Sequence, residues 1–167
     1  PLIAYTIEQA RASVFITRLV VATDSDEIQR LAQSLDVEVV MNPTLLHSGD
    51  EQGIISVVCH TLAYLERYKD YKPIYVCLLQ PTSPLRTTED IDTVIKKVAF
   101  EGAMSAETVR PDGSENGAVY ISRRQVFSEQ KKVLGQPLVS IQMPEERSLD
   151  IDTLEDFAKA ESIMKGE

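Results

Sequence analysis

Ile74-Tyr75-Val76-Cys77-Leu78-Leu79-Gln80-Pro81-Thr82-Ser83-Pro84-Leu85-Arg86 is the stretch on which the fold turns. Ile74 to Leu79 is the most strand-like run in the chain, apolar enough to be covered on both faces. Pro81 and Pro84 then block both a strand and a helix, because each lacks an N–H donor and fixes its own φ. Directly afterwards Thr87 or Thr88 can cap a helix striped by Ile91, Val94, Ile95 and Val98. A buried strand, a stiff polar loop and an amphipathic helix, in that order, form part of a strand–helix crossover unit.

The same alternation extends outward in both directions. Upstream, Ile3, Ile7, Ala10 and Val14 recur at helical spacing, and Leu19-Val20-Val21-Ala22 is a short buried strand. Asp24 with Glu27 reads as a helix cap and its partner, followed by the stripe Ile28, Leu31, Ala32 and Leu35. Val37 to Met41 is a further strand, closed by Asn42-Pro43. A loop to about Gly53 then enters a long helix with Ile55, Val58, Leu62 and Leu65 on one face. Downstream come strands near Ala118 to Ile121 and Leu138 to Gln142, then a helix capped by Thr153 and striped by Leu154, Phe157, Ala160 and Met164. This order predicts an α/β fold with a mostly parallel sheet between helices. Such sheets bind ligands beyond the carboxyl ends of their strands. The segments to inspect are therefore Thr23-Asp24-Ser25, Asn42 to Gly53, Gln80 to Arg86, and whatever follows the last strands.

With 167 residues the chain fits a single domain long enough to bury a core. Its net charge of -9 disfavours nucleic acid, whose phosphates it would repel. The charge admits a small phosphorylated ligand, because a divalent cation can bridge carboxylates to phosphate oxygens. No apolar stretch has the length of a membrane span, and Pro1 to Ala10 lacks the basic start of a signal peptide, so a cytoplasmic protein is expected. Cys59 and Cys77 stand alone in apolar runs and read as buried free thiols.

Chemistry can reside in a few places. Gln80, Thr82, Ser83 and Arg86 place an amide, hydroxyls and a guanidinium on one rigid turn, which suits a polyol bearing a carboxylate. The same hydroxyls could equally do no more than cap backbone groups. Asp150 and Asp152, at i and i+2 of an extended segment, point the same way roughly 7 Å apart. They form a candidate Mg2+ site completed by substrate phosphates, although an isolated pair of this kind is more often a solvated acidic turn. Local ion pairing among Glu145, Glu146 and Arg147 is a competing role for that region. Asn116-Gly117 ordinarily signals only a tight turn. Asp50-Glu51 reads more as the acidic start of a helix than as a ligand site. His47 lies in a loop, and His60 reads as a packed helix residue. Lys131-Lys132 reads as solvated surface. No Gly-rich phosphate cradle is present.

Taken together these segments resemble the N-acylneuraminate cytidylyltransferase (CMP-sialic acid synthetase) family. The resemblance is carried by Pro1-Leu2-Ile3-Ala4-Tyr5-Thr6-Ile7, Val21-Ala22-Thr23-Asp24 and Leu78 to Arg86, and continues through Asn116-Gly117-Ala118-Val119-Tyr120-Ile121 and Pro144 to Thr153. It implies a Rossmann-like three-layer nucleotidyltransferase fold. The implied enzyme uses CTP and Mg2+, joins the anomeric hydroxyl of an acidic nine-carbon sugar to the α-phosphate, releases pyrophosphate and works as a homodimer. On this resemblance Asp150 and Asp152 fall on metal-binding aspartates and Gln80 on a catalytic position that contacts the sugar. Thr82, Ser83 and Arg86 shape the same substrate loop, with Asn116, Asp24 and Asn42 as further substrate-binding candidates.

Residues 1–167 are expected to be one nucleotidyltransferase domain lacking two family segments. Members begin with a strand and a basic, glycine-bearing loop that cradles the triphosphate, whereas this sequence starts at Pro1. Between 107 and 116 the family carries a longer insertion used for dimerisation. Either the chain is a degenerate remnant or mobile segments are left out of this sequence; the second is the expected case. Asn42 stands where many relatives have an Arg near the nucleotide, which keeps open another sugar or nucleotide. The missing loop keeps open a silent nucleotide-sugar-binding module.

Overall fold

The computed structural model describes residues 1–41 and 51–166. Val20–Thr23 (β1) and Glu38–Met41 (β2) pair in parallel, Val20 opposite Glu38 and Thr23 opposite Met41. Tyr75–Leu78 (β3), Ser105–Val109 (β4), Glu115–Arg123 (β5) and Leu138–Gln142 (β6) form a second sheet in the order β3-β5-β4-β6. Within it β4 and β6 are parallel, while β5 runs antiparallel to both β3 and β4.

β3, β4 and β6 share one direction and β5 alone runs against them, so the mostly parallel arrangement carries one reversed strand that the sequence reading did not include. The connection between β4 and β5 is the cause. Residues 110–114 make a closed turn in which the Arg110 N–H donates to the Ser114 carbonyl at 2.8 Å and the Gly113 N–H to the Arg110 carbonyl at 2.9 Å. The Asp112 carboxylate accepts from the Ser114 N–H at 2.9 Å, and Gly113 supplies a φ of 86°. A connection this short reverses the chain, since a parallel return needs a dozen residues or more.

The helices are Leu2–Ala12 (α1), Asp26–Ser34 (α2), Glu51–Lys69 (α3), Thr88–Glu101 (α4), Arg124–Ser128 (α5) and Leu154–Lys165 (α6). Alternation along β3 and β5 divides the core between two faces. Tyr75, Cys77, Val119 and Ile121 pack under α4 with Ile91, Val94 and Val98. Val76, Leu78 and Tyr120 pack under α3 with Ile55, Val58 and Leu62. A third cluster joins Ile7 of α1 and Ala32 of α2 to Val21 and Val37. Helix, sheet and helix therefore form the expected three layers.

The periodic stripes on α3 and α4 enter the core as the spacing predicts. Thr87 is the α4 cap, in a reciprocal capping box with Asp90. Elsewhere the ends differ from expectation. Ser25, not Asp24, caps α2, its hydroxyl accepting from the Ile28 N–H at 3.4 Å. α1 stops at Ala12 and leaves Val14 exposed. Thr153 caps α6 as read, but Leu154 is 89 % exposed and Phe157 44 %, so that stripe contributes little beyond Ala160.

Candidate active site

The loop after β3 is held from both sides. Ser83, fully buried, donates from its hydroxyl to the Asn116 carbonyl at 3.2 Å and to Asp150 Oδ1 at 3.4 Å. The Ile151 N–H donates to the Thr82 carbonyl at 2.9 Å, tying the Asp150-Ile151-Asp152 segment to this loop. Upstream, a three-residue helical turn at Glu145–Arg147 is anchored by Arg147, whose guanidinium donates to both Asp90 carboxylate oxygens at 3.1 and 2.8 Å. Arg147 pairs with α4 rather than with its acidic neighbours. Burial is the largest single influence on the Asp90 carboxyl and raises it, but the Arg147 pairing and the Thr87 bonds together outweigh it and hold the carboxyl below the usual range.

These ties bring Gln80 and Asp150 to one rim. Gly117, at the start of β5, has a φ of 69°. A Cβ placed there would lie 3.0 Å from Asp150 Oδ2 and 3.0 Å from Gln80 Oε1. Glycine is required at this point for its backbone conformation and because two polar side chains close over it. Asp150 is half-buried and Asp152, two residues on, is exposed. Among the described residues no group of three or more His, Cys, Asp or Glu side chains is placed to hold a metal. Two carboxylates could supply only part of a divalent cation's shell, with phosphate oxygens and water as the remaining ligands.

Three expected substrate residues have other employment; Ser83, 0 % exposed, is one, its hydroxyl being taken by Asn116 and Asp150. Arg86 is 2 % exposed, and its guanidinium donates to the Ala118 carbonyl at 2.5 Å, the Thr6 hydroxyl at 2.5 Å and the Gln80 carbonyl at 2.6 Å. Burial pulls it down to about 10, with Cys77, Asp150 and Asp90 opposing, so it remains a cation at neutral pH. It braces α1, β5 and the loop from inside the protein. Asn116, 1 % exposed, accepts from the Thr108 hydroxyl at 2.8 Å and the Ala118 N–H at 3.1 Å, and donates to Ser148 Oγ at 3.2 Å. In this structure both side chains, like that of Ser83, hold their neighbours in place from inside the protein. A buried polar group must find partners inside the protein, and these side chains have found theirs except at Arg86 Nε, which is buried without one.

Thr82 remains half-buried on the loop, and Asp24 is exposed beyond the carboxyl end of β1. Asn42, His47 and Asp50 lie outside the described residues. His60 is exposed on α3 rather than packed. Cys77, facing α4, has its thiol pushed up to about 12 by desolvation, which suits an inert core thiol. Glu107 and Tyr120, the latter from the Asn116 to Ile121 string, are buried on the α3 face of the sheet. Desolvation first, then the nearby charges of Glu115, Glu107 and Asp150, push the Tyr120 hydroxyl up to about 12. Among the described residues no helix is long and apolar enough to cross a membrane.

A family model described as Cytidylyltransferase matches residues 1–133. The chain is 28% identical over 199 aligned positions to an N-acylneuraminate cytidylyltransferase of Escherichia coli, covering 99% of this chain and 46% of that protein. It is 27% identical over 202 positions to the CMP-N,N'-diacetyllegionaminic acid synthase of Legionella pneumophila, covering 99% and 85%. The chain thus spans less than half the length of the first of these relatives. Both alignments run longer than its 167 residues, so each relative carries extra residues within the matched span. In fold it is similar to CMP:2-keto-3-deoxy-manno-octonic acid synthetase complexed with CTP, at a TM-score of 0.74 and 12% identity over 99% of this chain and 88% of that one. It is likewise similar to a Mycobacterium tuberculosis protein in complex with manganese, at a TM-score of 0.67 and 18% identity over 95% and 84%.

Proposed function

Because the chain belongs to the cytidylyltransferase family, with residues 1–133 matched, we propose that it transfers CMP from CTP to the anomeric hydroxyl of a sialic acid or related nonulosonic acid. The observation that carries this reading is the convergence of Gln80 and Asp150 over Gly117, with Asp152 two residues away. The similarity to sialic and legionaminic acid enzymes supports the substrate class.

The reaction joins the sugar oxygen to the α-phosphorus, breaks the bond to the leaving pyrophosphate and releases the hydroxyl proton. Gln80 offers a carboxamide donor and acceptor that orient the sugar on a loop stiffened by Pro81 and Pro84. Thr82 adds a hydroxyl to the same loop. Arg86, from below, holds the Gln80 carbonyl and so fixes where that side chain starts. Asp150 and Asp152 would hold a divalent cation, Mg2+ or Mn2+, which when bound supplies positive charge against the phosphate oxygens. Asp24 stands as a further nucleotide-side contact. We read residues 1–167 as one nucleotidyltransferase domain, cytoplasmic and homodimeric in the intact protein. Light scattering of that protein tests the last point.

The experiment is pyrophosphate release from each nucleoside triphosphate with a panel of sialic, legionaminic and pseudaminic acids. Release with CTP and at least one of these acids is expected. Release only with another triphosphate would replace the nucleotide, and no release with any pair would favour a silent binding module.

A further inference from the structure

The rim lies beyond the carboxyl end of β3, and the opposite end of the sheet carries a different surface. α3 finishes there at Lys69, and Ile74 leads from it into β3. Arg123 closes β5 opposite Tyr75, the first residue of β3, and the Arg124 N–H donates to the Ile74 carbonyl at 2.9 Å. The stretch before β1 joins them. Thr17 Oγ1 lies 3.1 Å from the Tyr71 hydroxyl, and the Arg18 guanidinium stands 4.7 Å from the centre of the Tyr71 ring.

Two features coincide at this end. The first is exposed apolar area: Tyr68 is 63 % exposed and Ile74 69 %, with Tyr64 packed beside Tyr68 at 5.1 Å between ring centres. Large apolar side chains gathered in water and rimmed by polar groups mark an interaction surface. The second is unpaired positive charge. Glu66 takes Lys72 at 2.7 Å and Arg124 at 2.6 Å, and Glu38 takes Arg18 at 2.7 Å. Arg67, Lys69 and Arg123 are left without a carboxylate partner among the described residues, against one unpaired acid, Asp70. Arg67 instead lies 5.5 Å from the centre of the Tyr68 ring, and Arg123 5.5 Å from that of Tyr75. A guanidinium stacked on an aromatic ring keeps its N–H edge free for a carboxylate.

The charge identifies the occupant. The chain as a whole carries -9, yet this end presents surplus cations. A second copy docked on the same face would set cation against cation, because a twofold interface meets itself. An acidic partner is drawn in by the same field. Tyr and Arg are also the side chains that dominate binding at protein interfaces.

We propose that the amino end of the sheet, centred on Arg67, Tyr68 and Ile74, is a docking surface for an acidic polypeptide segment that carries aromatic side chains. Carboxylates of the segment take Arg67, Lys69 and Arg123, and its rings cover Tyr68 and Ile74. Gln80 and Asp150 stand at the other end of the strands, so a bound segment leaves the rim open. The inference is independent of the cytidylyl-transfer reading.

The test is fluorescence anisotropy of a labelled random copolymer of glutamate and tyrosine titrated with the intact protein, with polyglutamate of equal length as the second probe. The copolymer should bind roughly tenfold more tightly than polyglutamate and weaken as salt is raised. Arg67→Glu and Ile74→Ser should each weaken copolymer binding about fivefold or more and leave the melting temperature unchanged, since both side chains are exposed. No binding of the copolymer, or variants that bind it like wild type, overturns the proposal. Equal binding of polyglutamate does the same, because it marks charge alone. Tighter binding of a DNA duplex would give the face to nucleic acid, and a dimer that Ile74→Ser breaks into monomers would give it to a second copy; either result overturns the proposal.

Discussion

Arg86 and Asp150 come from the two motif strings that read most strongly as a site, yet the fold uses them in opposite ways. Arg86 is enclosed and its donors end on Ala118, Thr6 and Gln80, whereas Asp150 is half-buried and faces Gln80 across Gly117. Asn116 belongs with Arg86, and Asp152 with Asp150. One set is an internal brace and the other an open rim. The difference teaches that a conspicuous polar string can split its labour: some side chains set the shape so that their neighbours can meet a ligand.

That division predicts opposite phenotypes. Asp152→Asn should lower turnover by about 10²–10³-fold while leaving the melting temperature nearly unchanged, because an exposed carboxylate carries little of the fold. Arg86→Met should act first on stability. It strands buried acceptors on β5 and the loop, costing about 3 kcal/mol or more, or roughly 10 °C in melting temperature. Any loss of activity in folded Arg86→Met should follow from a displaced Gln80. Thermal melts and initial rates on both variants sharpen the contrast; a stable, inactive Arg86→Met would erase it.

A smaller effect concerns the anchor between α4 and the aspartate segment. The folded-state carboxyl of Asp90 is depressed, by Arg147 and Thr87 against the opposing effect of burial. Its stabilising contribution is therefore present above the unfolded value of 3.8 and is lost as pH falls through the lower folded value. Asp90→Asn should cost about 1–2 kcal/mol at neutral pH and flatten the acid limb of a stability–pH profile below about pH 4. Equal acid limbs in both proteins would remove Asp90 as the anchor.

Much of this was legible in the chain because local chemistry sets it. The prolines of Gln80 to Arg86 fix a loop whatever surrounds it, and the stripes on α3 and α4 bury as their period demands. The Thr87 and Thr153 caps follow from residues three positions apart. The direction of β5 was not read, although Pro111-Asp112-Gly113 is a turn signal that marks a hairpin. β4 also went unread, since Glu107 and Thr108 interrupt its apolar pattern. Whether Arg86 and Asn116 point in or out depends on distant partners such as Thr6 and Ser148, which no local pattern encodes.

The most direct test of the rim is Mn2+ binding in the presence of CTP, followed by electron paramagnetic resonance in wild type, Asp150→Asn and Asp152→Asn. Each variant should bind the ion at least tenfold more weakly than wild type while keeping its fold. Mn2+ affinities equal to wild type in both variants would contradict the placement of cation and nucleotide at this rim.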